Sequence, residues 1–441
     1  MKTINQYIKP LTIKRNEKGN LEIGGCDLVE LAKQYGTPLY IIDEKSLRTT
    51  TKEYKDAFSK YEGNLCMKYA SKALMTSAIA KILFEEGFGF DVVSGGEIYI
   101  VKNAGVDMSK TTFNGNNKTR EEIELALKYG VGRFSVDNFY EMELLNEACK
   151  KFGKTQEILL RITPGIECHT HEYIQTGHLD SKFGFDLTQI DDAINLIKEK
   201  YENLVPLGLH AHIGSQIFET KVYYDEIEVL IKEIRRIKDK HNIELNEINI
   251  GGGLGITYTE ADCPPSVYEI ADVIINSINE NCKKYDIEKP SLYIEPGRSI
   301  VGTSGVTLYS VGSSKQVPAA RKYVAVDGGM SDNIRPSMYG AEYVAEIANN
   351  KENAQKETVT IAGKHCESGD ILVKDIELDS PSPGDIICFY NTGAYGYSMS
   401  NNYNSVLKPA MVLVNNSQSA IIVKRESYEQ LVQNDIIPQG L

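Results

Sequence analysis

The stretch NLCMKYASKALMTSAIAKILFEEG, residues 64–87, decides how the rest of the chain is read. Leu65, Met67 and Tyr69 alternate with smaller or polar residues as a strand does, and from Ala73 onward apolar residues recur at helical spacing. Lys72 falls at the junction. A first-turn lysine is ordinarily a solvated charge, so its position acquires meaning only if the same strand-to-helix unit recurs.

It does recur. FGFDVV (88–93), TTFNG (111–115), RFSVD (133–137), EILLRI (157–162), VPLGLHAHI (205–213), LNEINI (245–250) and SLYIEP (291–296) are short apolar runs, and most are followed by a helical pattern. After HIGSQ, for example, Ile227, Leu230, Ile231, Ile234 and Ile237 recur at helical spacing. Eight such units across residues 45–297 predict a closed parallel (β/α)8 barrel of the TIM type rather than an open sheet. From residue 298 to 441 the texture changes: VTLYSVGSSKQV, KYVAVDG, VTIAG, DIICFYN, KPAMVLVNN and SAIIVKRES are strands without intervening helices, which predicts a mostly antiparallel β domain of sandwich or barrel kind. Residues 1–44 include LTIKRNEKGNLEIGG, a hairpin pattern expected to join that β domain.

Composition narrows the function classes. The chain has 441 residues, 41% of them hydrophobic, enough for two cores. Its net charge of -13, from 61 acidic and 48 basic residues without a Lys/Arg-dense tract, argues against a nucleic-acid surface and favours small-molecule partners. No apolar run approaches the ~18 residues of a membrane span, and the first residues lack the apolar core of a leader, so a cytoplasmic protein is expected. The eight cysteines include no C-x-x-C pair, which indicates neither a disulfide framework nor a zinc finger.

A barrel of this kind keeps its chemistry at the carboxyl ends of its strands. In order, those ends carry Lys72, Asp91 with Ser94, Asn114, Arg161, His210 and His212 with Ser215, Gly251 to Gly253, and Glu295 with Arg298. Each has an ordinary reading. GGGLG can be a tight turn, EPGR a solvated turn, His212 a hydrogen-bonded core residue, and the His210/His212 pair a metal site lacking an evident third ligand. Together they match the needs of pyridoxal phosphate: an imine-forming amine in Lys72, an acid that keeps the pyridine nitrogen protonated, a stackable imidazole, and a glycine loop whose N–H groups approach a phosphate.

YASKA, HAHIGSQ, GGGLG, EPGR, DGGMSDNIRPSMYGA, CESGD and NTGAYGYSMSNNYN, in this order and over nearly the whole chain, closely resemble the diaminopimelate decarboxylases, which share the alanine-racemase-like barrel and bind pyridoxal phosphate. The resemblance implies conversion of meso-2,6-diaminopimelate to L-lysine and carbon dioxide, with Lys72, His212, Glu295 and Cys366 as catalytic residues. It further implies a cofactor site of Lys72, Asp91, His212, Ser215, Gly251, Gly252, Gly253, Glu295, Pro296, Gly297, Arg298 and Tyr395. For the substrate it implies Arg298, Arg335 and Tyr339 on the carboxylates, Glu367 on the distal ammonium, and Tyr395 nearby. Cys366 is similar to the family's proton donor, carried on a loop that enters the neighbouring subunit of a homodimer. The competing expectations are an ornithine/arginine-type decarboxylase, which shares the lysine, HIGS-type and EPGR-type motifs, and a non-catalytic pyridoxal-phosphate-binding homologue.

Overall fold

Strands made of branched and aromatic residues on both faces require cover on both sides, and a parallel barrel ringed by helices supplies it. In the computed structural model, which describes residues 2–166, 181–352 and 354–441, eight strands meet that requirement. They are β1 (Leu65–Ala70), β2 (Gly89–Val92), β3 (Thr111–Phe113), β4 (Arg133–Val136), β5 (Gln156–Thr163), β6 (Leu204–His210), β7 (Glu247–Asn249) and β8 (Ser291–Ile294). Each pairs in parallel with the next, and β8 pairs with β1, so the sheet closes and leaves no edge among these eight. A two-residue strand, Phe185–Asp186, extends β5 on one side.

Short polar side chains set where the covering helices begin. Thr76, Ser94, Thr119, Asn138 and Ser266 each accept a hydrogen bond from a backbone N–H of the first turn, and Thr119 and Ser266 complete capping boxes with Glu122 and Glu269. The helix Lys221–His241 turns Ile227, Leu230, Ile231, Ile234 and Ile237 inward, all buried. Each such side chain contributes roughly 1.5–3 kcal/mol on burial, so truncating Ile231 to alanine costs about 2–5 kcal/mol. Among the described residues no helix is long and apolar enough to cross a membrane.

The chain divides into two units. One comprises Met1–Gln6, Arg48–Ile256 and Cys263–Ile300 and holds the barrel; the other comprises Tyr7–Leu47, Thr257–Asp262 and Val301–Leu441. The second unit is built on a sheet ordered Ile371–Asp379, Lys356–Ala362, Lys322–Val326, Gly305–Gln316, Leu39–Asp43, Ala410–Asn415 and Gln418–Val423. Most of its pairings are antiparallel, with Lys322–Val326/Lys356–Ala362 and Leu39–Asp43/Ala410–Asn415 the parallel ones. The opening segment supplies the Lys14–Arg15/Leu21–Ile23 hairpin, and Ile23, Leu28, Leu39 and Ile41 pack with Val306, Leu308, Cys388 and Val412 in one core.

Among the described residues, three strands of three or more residues were not among those read from sequence. Ile371–Asp379 carries Lys374, Asp375 and Glu377 on an exposed face, Ala345–Ile347 is only three residues long, and Leu39–Asp43 runs straight into the Glu44–Phe58 helix.

Candidate active site

After β1 the chain makes one tight helical turn, Ser71–Ala73, before Thr76 starts the next helix. That turn leaves Lys72 exposed at the strand end, with its charge acting on Asp91, His210, His212 and Glu295. The amine is thus reachable from outside while its electrostatic partners are the buried polar groups of the barrel.

The centre of those groups is an acid pair joined by amides. Asn114, just beyond β3, donates from Nδ2 to Asp91 Oδ1 at 2.5 Å and to Glu295 Oε1 at 3.2 Å. Asn249, the last residue of β7, donates to the same Glu295 oxygen at 2.7 Å. Burial raises the Asp91 carboxyl, and burial together with the negative charge of Asp91 pushes Glu295 up to about 7. A cation placed against Glu295 relieves both effects.

Two histidines flank the acids. His210 Nδ1 lies 2.6 Å from Ser135 Oγ, and its Nε2 lies 3.5 Å from Glu295 Oε2. Burial, then the Arg161 charge, holds His210 well below the usual imidazole range; burial, then Lys72, does the same for His212. Both rings are therefore neutral, and a neutral His212 can stack on an aromatic ring without introducing charge. Arg161 is itself buried, 4.0 Å from Asp137 Oδ1 and stacked on Phe183. Among the described residues no group of three His, Cys, Asp or Glu side chains is arranged to hold a metal.

The third component is a cradle without side chains. Gly251 has φ +61°, and a Cβ there would stand 2.5 Å from His212 Nδ1; a Cβ on Gly252 would stand 2.3 Å from the Glu295 carbonyl oxygen. Gly253 has φ +109° and faces Ile217 and the Gly214 carbonyl. Glycine is required by both backbone conformation and space. Beside the loop, Arg298 donates from Nε and Nη2 to Ser215 Oγ at 3.2 and 3.0 Å. Ala70 N donates to Pro296 O at 3.1 Å, and a Cβ on Gly297 would meet Ala70 Cβ at 2.9 Å, which locks the EPGR segment against the end of β1. An exposed amine, a neutral ring-stacking imidazole, an acid awaiting a cation and a glycine-lined anion cradle fit pyridoxal phosphate in each of its parts.

The remaining expected residues lie in the second unit. Arg335 is buried at the start of the short Arg335–Tyr339 helix, donates to Tyr343 Oη at 2.5 Å and has its guanidinium 4.9 Å from the Tyr258 ring centroid. Tyr339, at the end of that helix, is half-buried, as is Tyr395, which has φ +60°. Cys366 and Glu367 are exposed at the tip of a loop whose ends, His365 and Asp370, are buried and paired, His365 Nδ1 to Asp370 Oδ2 at 2.7 Å. Cys366 N donates to Asn404 Oδ1 at 2.9 Å. Asn249 and Ser135 were missed in the sequence. An Asn or Ser at a strand end carries no signal until barrel closure sets its neighbour.

The family described as pyridoxal-dependent decarboxylase, pyridoxal binding domain, matches residues 44–302. The chain is 48% identical to the diaminopimelate decarboxylase of Bacillus subtilis over 427 residues, 96% of this chain and 97% of that one. It is 48% identical to the Synechocystis diaminopimelate decarboxylase over 446 residues, 99% and 94% of the two chains. Among solved structures, it matches diaminopimelate decarboxylase from M. jannaschii with a TM-score of 0.91 at 38% identity, covering 97% of this chain and 98% of the other. The Helicobacter pylori diaminopimelate decarboxylase, solved complexed with L-lysine, matches with a TM-score of 0.84 at 31% identity over 92% and 98%.

Proposed function

The chain belongs to the pyridoxal-dependent decarboxylase family, and from that premise we propose that it is a carboxy-lyase of lysine biosynthesis, converting meso-2,6-diaminopimelate to L-lysine and carbon dioxide. The observation that supports this reading is the charge of the exposed Lys72 acting on the Asn-bridged Asp91/Glu295 pair, in a chain 48% identical to a diaminopimelate decarboxylase over nearly its full length.

Bound pyridoxal phosphate supplies a carbonyl that condenses with amines and a ring that withdraws the electron pair freed when carbon dioxide leaves. Lys72 would hold the cofactor through its amine, and the same amine would release the product. Glu295, held on Oε1 by Asn249 and Asn114, would pair with the ring nitrogen and keep it cationic. His212 would pack its neutral face on the ring, with Asp91, Pro296 and Gly297 at the same site. The Gly251–Gly253 loop, with Ser215 and Arg298 beside it, would hold the phosphate.

The substrate has two amino-acid ends, so selection needs cations for its carboxylates and an anion for its spare ammonium. Arg298, Arg335 and Tyr339 take the carboxylates and Glu367 the ammonium. Losing one bidentate arginine in a desolvated pocket costs on the order of 2–5 kcal/mol. Cys366 delivers the proton that replaces the lost carboxylate. The working assembly is a cytoplasmic homodimer in which the exposed Cys366–Glu367 tip serves the neighbouring subunit.

A coupled assay for carbon dioxide and lysine from meso-diaminopimelate, with and without added pyridoxal phosphate, tests the reading, with ornithine as the comparison substrate. Cofactor-dependent lysine release is expected; turnover of ornithine in preference, or no carbon dioxide at all, defeats it. Borohydride reduction of the loaded protein should fix the cofactor mass on Lys72 and on no other lysine.

A further inference from the structure

His210 is the buried titratable group that the scheme above leaves without a role, and its two ring nitrogens have different surroundings. Nδ1 is 2.6 Å from Ser135 Oγ on β4. Nε2 points to Glu295 Oε2, 3.5 Å away, and has no closer hydrogen-bond partner among the described residues. Ser135 and His210 are 0% and 1% exposed, so water does not compete for either contact. Glu295 Oε1 already takes the Asn249 and Asn114 amides, which leaves Oε2 as the oxygen that faces the ring.

We propose that Ser135 and His210 are positioning residues for the cofactor acid: the Ser135 hydroxyl donates to His210 Nδ1, the ring proton is thereby kept on Nε2, and Nε2–H is directed at Glu295 to hold it as a carboxylate. The inference deepens the proposed function and rests on it in one respect, that Glu295 is the acid facing the cofactor ring.

The alternative proton arrangement is worse on two counts. Burial and the charges of Arg161, Lys72 and Lys118, with His212 also close, keep the ring neutral, so it carries a single N–H. With that proton on Nδ1, the Nε2 lone pair would face a carboxylate oxygen, acceptor against acceptor. The Ser135 hydroxyl would in turn have no acceptor, since His210 is its one side-chain partner among the described residues. That arrangement becomes acceptable only when Glu295 takes up a proton and donates it to Nε2. Ring tautomer and Glu295 charge are therefore one coupled variable, and Ser135 biases it toward the charged acid. Asp91 and Lys72, which also act on Glu295, shift the balance in opposite directions.

The test is nitrogen NMR of the full-length chain carrying ¹⁵N-labelled histidine, without and then with pyridoxal phosphate, at about pH 8, above the Glu295 titration, so that the acid is ionised in both states. The His210 resonances are assigned by their loss in His210→Gln. Wild type should show a neutral ring protonated on Nε2 in both states. Ser135→Ala should move the ring toward the Nδ1–H form and weaken cofactor binding by about tenfold, the equivalent of a one-unit rise in the Glu295 pKa. Ser135→Thr, which restores the hydroxyl, should return both to wild type. A wild-type His210 that is cationic or protonated on Nδ1 overturns the proposal, and so does an unchanged tautomer in Ser135→Ala. If Ser135→Ala does not fold, the wild-type tautomer alone decides. The ring is read without substrate, so this outcome is separate from that of the decarboxylation assay.

Discussion

Asn249 ties Glu295 to the glycine loop: its Nδ2 donates to Glu295 Oε1 at 2.7 Å while its Oδ1 accepts from Gly251 N at 2.9 Å. One side chain thus orients both Glu295 and the glycine loop, the proposed cofactor acid and phosphate cradle. Asn249→Asp keeps the acceptor for Gly251 but replaces a donor with a third buried acid beside Asp91 and Glu295. Stability should fall by about 1–3 kcal/mol in denaturant unfolding, and cofactor affinity should fall at least tenfold. Wild-type cofactor affinity in this variant would show that Asn249 does not hold Glu295.

The Glu295 carboxyl gives the cofactor-free protein a definite pH dependence. It titrates at about 7 in the fold, whereas an unfolded glutamate titrates at about 4.3. Between those values the native state binds the extra proton, so the contribution is present at low pH and is lost as pH rises through about 7. Its full size is roughly 3 kcal/mol. Urea unfolding at about pH 5.5 and 8 should show wild type losing more stability toward pH 8 than Glu295→Gln does. Parallel slopes would place the proton elsewhere.

The glycine cradle is testable against an internal control. In Gly252→Ala the new methyl would lie 2.3 Å from the Glu295 carbonyl oxygen, so backbone must move. At Gly96, in the Gly95–Asn103 helix, an added methyl would have only Ser94 Oγ nearby, at 3.7 Å. Gly252→Ala should lower pyridoxal-phosphate affinity by more than tenfold, while Gly96→Ala should leave it unchanged and stabilise the helix by about 0.5–1 kcal/mol. Equal affinities in the two variants would remove the loop from the cofactor site.

Glu226, on the inward face of the Lys221–His241 helix, is fully buried with neither carboxylate oxygen hydrogen-bonded among the described residues, and burial raises its pKa well above the usual range. Glu226→Leu should stabilise the protein by about 1–3 kcal/mol, with the larger gain at alkaline pH where the native glutamate is pressed to ionise. Thermal unfolding at pH 6 and 8 checks it. A destabilised Glu226→Leu would mean the carboxyl makes contacts that its burial conceals.

The barrel was legible because buried parallel strands have no polar face: β1 to β8 each coincide with an apolar run read from the sequence, and the strand ends located Lys72, Asp91, Asn114, Glu295 and Arg298. What stayed hidden depends on closure. Ser135 meets His210 across 75 residues of chain and Asn249 meets Glu295 across 46, contacts that register between strands creates and local pattern does not encode. In the second unit Ile371–Asp379 was unread for the opposite reason, since its charged exposed face imitates a loop.

The Cys366 loop carries the last prediction. Its buried ends are fixed by His365 and Asp370, the latter also accepting from Met330 N at 2.7 Å, so the exposed tip is presented outward by a braced turn. A tip exposed in this way is available to another copy, while Lys72 is proposed to act in its own barrel. Each site of a two-fold dimer would then mix residues from two chains. Lys72→Ala should be inactive, and Cys366→Ala should be slower by about 10²–10⁴-fold, the usual worth of a general acid. When the two variants are dissociated, mixed and reassociated, heterodimers contain one doubly damaged site and one intact site. Random reassortment places half the dimers in that class, so activity should return to roughly a quarter of wild type. Mixed-tag pull-down establishes that heterodimers form. If they form and activity stays at the level of the parents, Cys366 works within its own chain or takes no part in the reaction, and the shared-site arrangement is wrong.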